Sequence, residues 1–241
     1  MTTTNNLHAV IVLYPGVTQL DFTGPYQVFM RAPNTVVQVA ALEPELVLDG
    51  LHFASLTPLG DIQACDLLCI PGGYGAAEAI HNDSFMAEVS RLAQSANTLC
   101  SVCTGSLILA AGGFLEGKKA TCHWSWLDYL AQFPGVEISS DRVVRDNNDD
   151  QAIFTGGGVT AGIDMALTVV GELFGHETAE RIQLVLEYNP QPPFNSGSPD
   201  SASEHIVESL KSLLEKYNEA PRQLIQTFLS DQETKRLNEP A

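Results

Sequence analysis

Cys100 and Cys103 stand three residues apart in "TLCSVCTGSLILAAG" (98–112). That spacing can serve a dithiol redox pair, half of a metal site or the setting of one nucleophilic thiol. The apolar run "TLCSVC" has strand character, and Thr104-Gly105-Ser106 opens a stretch of helical spacing, so the chain must turn sharply with Cys103 at the bend. A thiol at a helix N-terminus is favoured as thiolate, because the helix dipole and unpaired amides stabilise negative charge there. Cys100 lies inside the strand and points to the opposite face of the sheet. A redox pair of the thioredoxin type instead needs its second cysteine in the first helical turn after the attacking one. The expectation is an exposed nucleophile at Cys103 and a core residue at Cys100. The plainer alternative for Cys103 is a small residue filling a tight turn.

A partner for such a thiol would be an acid or base. "YPGVTQLDFTGPYQVF" (14–29) places Asp21 among Val17, Leu20 and Phe22, a setting that implies burial and a raised carboxyl pKa. The alternative is an aspartate that caps a helix or a turn. Gly72 and Gly73, in "GGYGAAE" (72–78) after the apolar run "LLCI", leave bare backbone whose amides can approach a ligand. They form no dinucleotide fingerprint, because the third glycine and the acid about twenty residues on are missing. "GGFLEGKK" (112–119) puts Lys119 where a phosphate loop needs Ser or Thr and follows a helix rather than a strand, so a helix C-cap is expected. The histidines (His8, His52, His81, His123, His176, His205) show no metal-ligand spacing, and no metal is expected. "HETAE" (176–180) has the character of a helix N-terminus with acids in its first turn.

Strand-like runs at 9–14, 35–42, 67–70, 98–103 and 152–158 must position these residues, and several are apolar on both faces, as in a buried parallel sheet. Helical spacing between them at 85–96, 106–113, 124–133 and 161–175 predicts an α/β fold with a mostly parallel sheet sandwiched by helices. Residues 46–57 suggest a hairpin, and 142–155 two strands joined at a polar turn. One α/β domain over 1–190 is expected. Beyond it, 191–241 begins with a Pro/Ser-rich arm and ends in a helix capped by Ser203, with Ile206, Leu210, Leu213 and Leu214 on one stripe. Such a helix docks on its own domain or on a partner.

The 241 residues carry 29 acids against 12 bases, a formal charge of −17, with no basic cluster, which argues against nucleic acid or an anionic membrane as partner. No apolar run is long enough to span a bilayer, and "MTTTNNLHAV" lacks signal-peptide character, so a soluble cytoplasmic protein is expected. Five cysteines, several within apolar runs, suit reduced thiols rather than a disulfide framework. The sequon at Asn82 then has no secretory context.

Taken together, "QLDFTGP" (19–25), "CIPGGYG" (69–75), "SVCTGSLILAAGGFLEGKKATCHW" (101–124), "RVVRDN" (142–147), "FTGGGVTAGIDMAL" (154–167) and "LEYNPQPPFNSGSPD" (186–200) resemble the DJ-1/PfpI superfamily. Within it, they resemble the branch that hydrates isocyanides. The resemblance implies a flavodoxin-like fold, also called class I glutamine amidotransferase-like. It implies Cys103 as nucleophile, Asp21 as its acid/base partner and Thr104 as the neighbour that steadies the reacting group. Gly72, Gly73 and Gly105 would then offer backbone to a small-molecule substrate, with no cofactor and with a homodimeric assembly. Many members have Glu and His where this chain has Asp21 and Thr104, which favours the hydrating branch. Glyoxal turnover and thiol-based oxidation or ligand sensing are the competing activities, and His123 in "TCHW" is expected to support rather than react.

Overall fold

Strands and helices alternate in the computed structural model, which describes residues 6–48, 50–148 and 151–238. Strand β1 (Leu7–Val12) leads into helix α1 (Gln19–Phe29), β2 (Thr35–Ala41), a hairpin of β3 (Glu45–Leu48) and β4 (Leu51–Ala54), and the short β5 (Thr57–Pro58). Next come β6 (Leu67–Ile70), α2 (Ala76–Ile80), α3 (Asp83–Ser95), β7 (Thr98–Val102) and α4 (Gly105–Ala111). After β8 (Lys119–Ala120), α5 (Leu127–Leu130) and β9 (Glu137–Ile138), the antiparallel pair β10 (Val143–Asn148) and β11 (Gln151–Gly156) precedes α6 (Ala161–Phe174), α7 (His176–Val185), α8 (Glu204–Tyr217) and α9 (Glu219–Asn238). The expected polar turn at 149–150 and the chain ends, 1–5 and 239–241, lie outside the described residues.

Among the described residues, the main sheet has the order β10-β11-β7-β6-β1-β2-β5, parallel except for β10 against β11. Helices flank it, as expected for the α/β class. Its centre is apolar on both faces because β6 ("LLCI") and β7 ("TLCSV") are buried at every position. Burying each large apolar side chain there contributes roughly 1.5–3 kcal/mol. The register pairs Cys100 with Cys69 on one side and Phe154 on the other, deep in this layer. Strand order reverses between β1 and β6, and in open α/β sheets the crevice at such a reversal, beyond the strands' carboxyl ends, is where ligands bind. Asp21, Gly72 and Cys103 all follow those ends.

Helix α1 is held there by close packing on α6. A Cβ on Gly24 would come within 3.0 Å of Ile163, and one on Gly162 within 3.2 Å of both Pro25 and Val102. Small residues thus let α1, α6 and the end of β7 converge.

Two expectations change. The 124–133 stretch is not one helix: a 3-10 turn (Trp124–Trp126) precedes the single turn α5, because Trp126 leaves helical geometry at φ −120°, ψ 0° with its ring buried. The arm is followed by two helices rather than one. Ser203 does stand at the N-cap of α8, without a side-chain capping bond, but the Ile206, Leu210 and Leu213 stripe is exposed. The anchor is α9, where Ile225 is buried, His81 bonds the Leu224 carbonyl (Nε2 to O, 2.9 Å) and Phe228 meets Phe133. Gly112 caps α4 and His176 opens α7, as read from the sequence.

Candidate active site

Val102 makes the last register pair of β7, with Gly156, and the chain then turns through Cys103 into α4. Cys103 has φ +55°, the left-handed region that a non-glycine residue occupies at a cost of about 1–3 kcal/mol. The turn is held because the Cys103 amide donates to two carbonyls of the glycine run, Gly157 (2.8 Å) and Gly156 (3.0 Å). Below it runs a buried polar chain. Ser101 donates to Ser106 (2.8 Å), Ser106 to the Thr121 carbonyl (2.7 Å), and the Thr121 amide to Thr155 Oγ1 (2.9 Å). Every member is satisfied, which makes such a network rigid.

Cys103 is 7% exposed, so the expectation of an open thiol is corrected. The expectation of an easily formed thiolate is corrected with it. Burial pushes the Cys103 thiol well above its ordinary range, the nearby Asp21 charge adds to the rise, and the amides of Thr104 and Val159, close to the sulfur, only partly offset both. The helix N-terminus does contribute, through Thr104, but desolvation wins.

Asp21, in the first turn of α1, is completely buried. Burial lifts its carboxyl to about 6, against the opposing pull of the Gly72 amide, which donates to Oδ2 (3.1 Å), and of the Cys103 thiol. Thiol and carboxyl lie side by side without full hydrogen-bond geometry, and Oδ1 has no partner. Such an orphaned oxygen is tolerable if it carries a proton or meets a reacting group. Tyr14 packs beside the pair, its hydroxyl donating to the Pro71 carbonyl (2.8 Å) and its titration feeling both.

The glycines act differently from the sequence expectation of free amides. The Gly72 amide is taken by Asp21, and the Gly73 amide by Thr104 Oγ1 (2.8 Å), whose own hydroxyl donates to the Gly73 carbonyl (2.9 Å). A Cβ on Gly72 would fall 2.5 Å from the Thr104 nitrogen and 2.7 Å from Cys103 Cβ, and one on Gly105 would fall 2.1 Å from the Ile70 carbonyl oxygen. These residues let the loop after β6 press against the turn after β7. Gly72→Ala is therefore expected to cost about 1–3 kcal/mol in denaturant unfolding; unchanged stability would contradict this packing.

His123 caps the 3-10 turn that follows it. Its Nδ1 accepts from the Ser125 amide (3.3 Å) and meets the Ser125 hydroxyl (2.9 Å), which leaves the neutral ring's proton on Nε2, and burial lowers its pKa. The ring rests on Gly158, where a Cβ would sit 2.8 Å from Cδ2. Nearby, the corner between α8 and α9 (Tyr217, Pro221) faces Gly16 and Tyr74 across a hollow of about 620 Å³. Among the described residues, no three His, Cys, Asp or Glu side chains converge as metal ligands would.

The DJ-1/PfpI family profile matches residues 8–172, more than half of the chain. This chain belongs to the DJ-1/PfpI family. A protein named isonitrile hydratase from Pseudomonas putida is 40% identical over 229 residues, 94% of this chain and 96% of that one. The crystal structure of a ThiJ/PfpI family protein from Pseudomonas syringae superposes with a TM-score of 0.85 at 35% identity, covering 92% and 91% of the two chains. Protein DJ-1 homolog A from Arabidopsis thaliana is 29% identical over 68% of this chain and 42% of its own length. In this DJ-1/PfpI protein the structure brings together Cys103, Asp21, Thr104, Gly72, Gly73 and Gly105. Sequence reasoning did not single out Tyr14 or the Val159 amide. The amide had a visible signal, the glycine run "FTGGGVT" (154–160) opening a helix, but backbone donors carry no residue-type signature.

Proposed function

We propose that this protein hydrates isocyanides to N-substituted formamides, with Cys103 as nucleophile and Asp21 as its proton carrier. The observation that carries the reading is the buried pair itself: a thiol beside a carboxyl that titrates about 6, with one carboxyl oxygen unpartnered. Burial disfavours charging both members, so the pair holds one net negative charge and one proton. Burial raises both groups, the thiol with the Asp21 charge added against it, so in this reading the shared proton rests on sulfur at neutral pH and Asp21 is the carboxylate that receives it. An isocyanide carbon must gain a nucleophile and a proton. Asp21 takes the proton from sulfur as sulfur attacks the terminal carbon, then delivers it to that carbon, giving a thioimidate on Cys103 and a carboxylate on Asp21. Water then adds to the thioimidate carbon with Asp21 as base. Asp21 passes that proton to the thioimidate nitrogen, the new hydroxyl gives its own proton to sulfur by way of Asp21 as the C–S bond breaks, and the N-substituted formamide leaves.

In this reading the tight turn after β7, with Cys103 at positive φ, serves as a nucleophile elbow, and the nearby Thr104 and Val159 amides steady charge on sulfur. Thr104, tied to Gly73, fixes the wall beside it; Gly72 aims Asp21, and Gly105 lets α4 start hard against β6. The steps need no metal or organic cofactor. The 40% identical Pseudomonas putida relative, which bears the name of this activity, supports the reading. In the same reading the protein works in the cytoplasm as a homodimer, the exposed Ile206, Leu210 and Leu213 stripe of α8 being a face that a second copy can cover. The test is purified protein with an alkyl or aryl isocyanide in ¹⁸O-labelled water. Formamide carrying one ¹⁸O is expected; methylglyoxal turnover without formamide would move the activity to the glyoxalase class.

A further inference from the structure

The Val159 amide lies beside the Cys103 sulfur, after a run of three glycines whose carbonyls are held by the Cys103 amide (Gly156 and Gly157) and by the Ala161 amide (Gly158, 2.9 Å). A further hold on that segment comes from one residue beside the neighbouring edge strand. Arg142, just before β10, accepts the Gly157 amide on its carbonyl (2.9 Å), donates from Nε to Asp164 Oδ2 (2.6 Å) and from Nη2 to Thr160 Oγ1 (3.1 Å). Thr160 is the N-cap residue of α6 and Asp164 lies in its first turn, so the Arg142 carbonyl holds the chain before Val159 and its side chain holds the chain after it. Just after α7, the Tyr188 hydroxyl donates to the same Asp164 oxygen (3.0 Å) and backs the carboxylate.

We propose that Arg142 is a positioning residue, which clamps the start of α6 so that the Val159 amide stays aimed at the Cys103 sulfur. The inference rests on Cys103 being the nucleophile and adds the group that keeps its sulfur competent. An exposed ion pair of this kind contributes little to global stability, so the clamp has a local purpose or none. The molecule supplies its own control. Arg145, on the same β10, makes a two-pronged bond to Glu172 (3.1 and 2.7 Å) two turns farther along the same α6, so it ties the same strand to the same helix away from the sulfur.

The test follows iodoacetamide alkylation of Cys103 against pH, located by peptide mass, in full-length Arg142→Met, Arg142→Lys and Arg145→Met. The titratable neighbours of the sulfur, Asp21, Tyr14 and Cys122, stay in place in all three. Losing an amide that favours the thiolate should slow Cys103 alkylation in Arg142→Met about tenfold at each pH below the midpoint. Arg142→Lys, able to reach one acceptor at a time, should fall between it and wild type, and Arg145→Met should coincide with wild type. Formamide production should fall about tenfold in kcat for Arg142→Met with KM little changed. A profile for Arg142→Met that overlies wild type, or an equal shift in Arg145→Met, overturns the proposal. Alkylation needs no isocyanide, so this outcome is separable from failure of the hydration reading.

Discussion

Cys103→Ala abolishes formamide production, by about 10⁴-fold or more, while the protein remains folded. Loss of activity follows because no other thiol can take over. Cys65, Cys69, Cys100 and Cys122 are all buried, and burial pushes each of them up, Cys65 to about 11 and the rest further. None of those four has Asp21 set beside it with an open oxygen. The fold survives because alanine meets the same φ of +55° as cysteine and the Cys103 amide keeps both carbonyl partners. The loss of one sulfur atom costs about 1 kcal/mol. Intact-mass measurement during turnover gives an independent readout: wild type should gain the mass of one isocyanide, mapped to the peptide containing Cys103, and the variant should gain none. Turnover by Cys103→Ala at the wild-type rate, or an adduct on another cysteine, would sink the covalent route. Cys103→Ser should be nearly as inactive, since a hydroxyl is a far weaker nucleophile than a thiol at this position.

The same residue shows where sequence reasoning stops. Strand, turn and helix around Cys103 were legible, because "TLCSVC" is apolar on both faces and Thr104-Gly105-Ser106 opens helical spacing. Its protonation state was not. A helix N-terminus argues for a thiolate, but burial is a property of everything that packs around the site, here the glycine loops after β6 and β11. Asp21 was legible because an acid set among apolar residues signals burial, and it is fully buried, although Leu20 beside it is exposed and the groups that meet the carboxyl, the Gly72 amide and Cys103, come from distant loops. The glycines were half legible. Bare backbone at a strand's carboxyl end pointed to the site, but Gly72 and Gly73 spend their amides on Asp21 and Thr104, partners distant in sequence. Helix α9 escaped notice because Ile225 is its one fully buried large residue, too little to show as a stripe, whereas the clear stripe of α8 is exposed.

Asp21→Asn is expected to inactivate the protein and stabilise it. Proton transfer by a placed acid or base is worth about 10²–10⁴-fold, and asparagine can neither accept the thiol proton nor deliver it, so kcat should fall by that factor. Stability moves the other way because Asp21 is an acid whose folded pKa is raised. The folded state holds its proton more tightly than the unfolded chain does, so this group's contribution is most favourable below the unfolded value of about 4. It declines as pH rises from there to about 6 and is flat above. At pH 7 the ionised carboxylate costs the fold about 3 kcal/mol. Asparagine keeps an oxygen for the Gly72 amide and removes the charge. Its thermal midpoint should therefore exceed wild type by roughly 5–10 °C at pH 7.5. The gap should shrink to about a third by pH 4.5, where the folded wild type carries the proton but the unfolded chain is still largely ionised. Wild-type activity should fall as pH drops through about 6, because the carboxylate that receives the thiol proton is lost. Calorimetric scans at the two pH values decide the matter. An Asp21→Asn protein less stable than wild type at both would mean that the carboxylate is held by favourable bonds rather than strained by burial. The proton would then be misplaced in the resting pair.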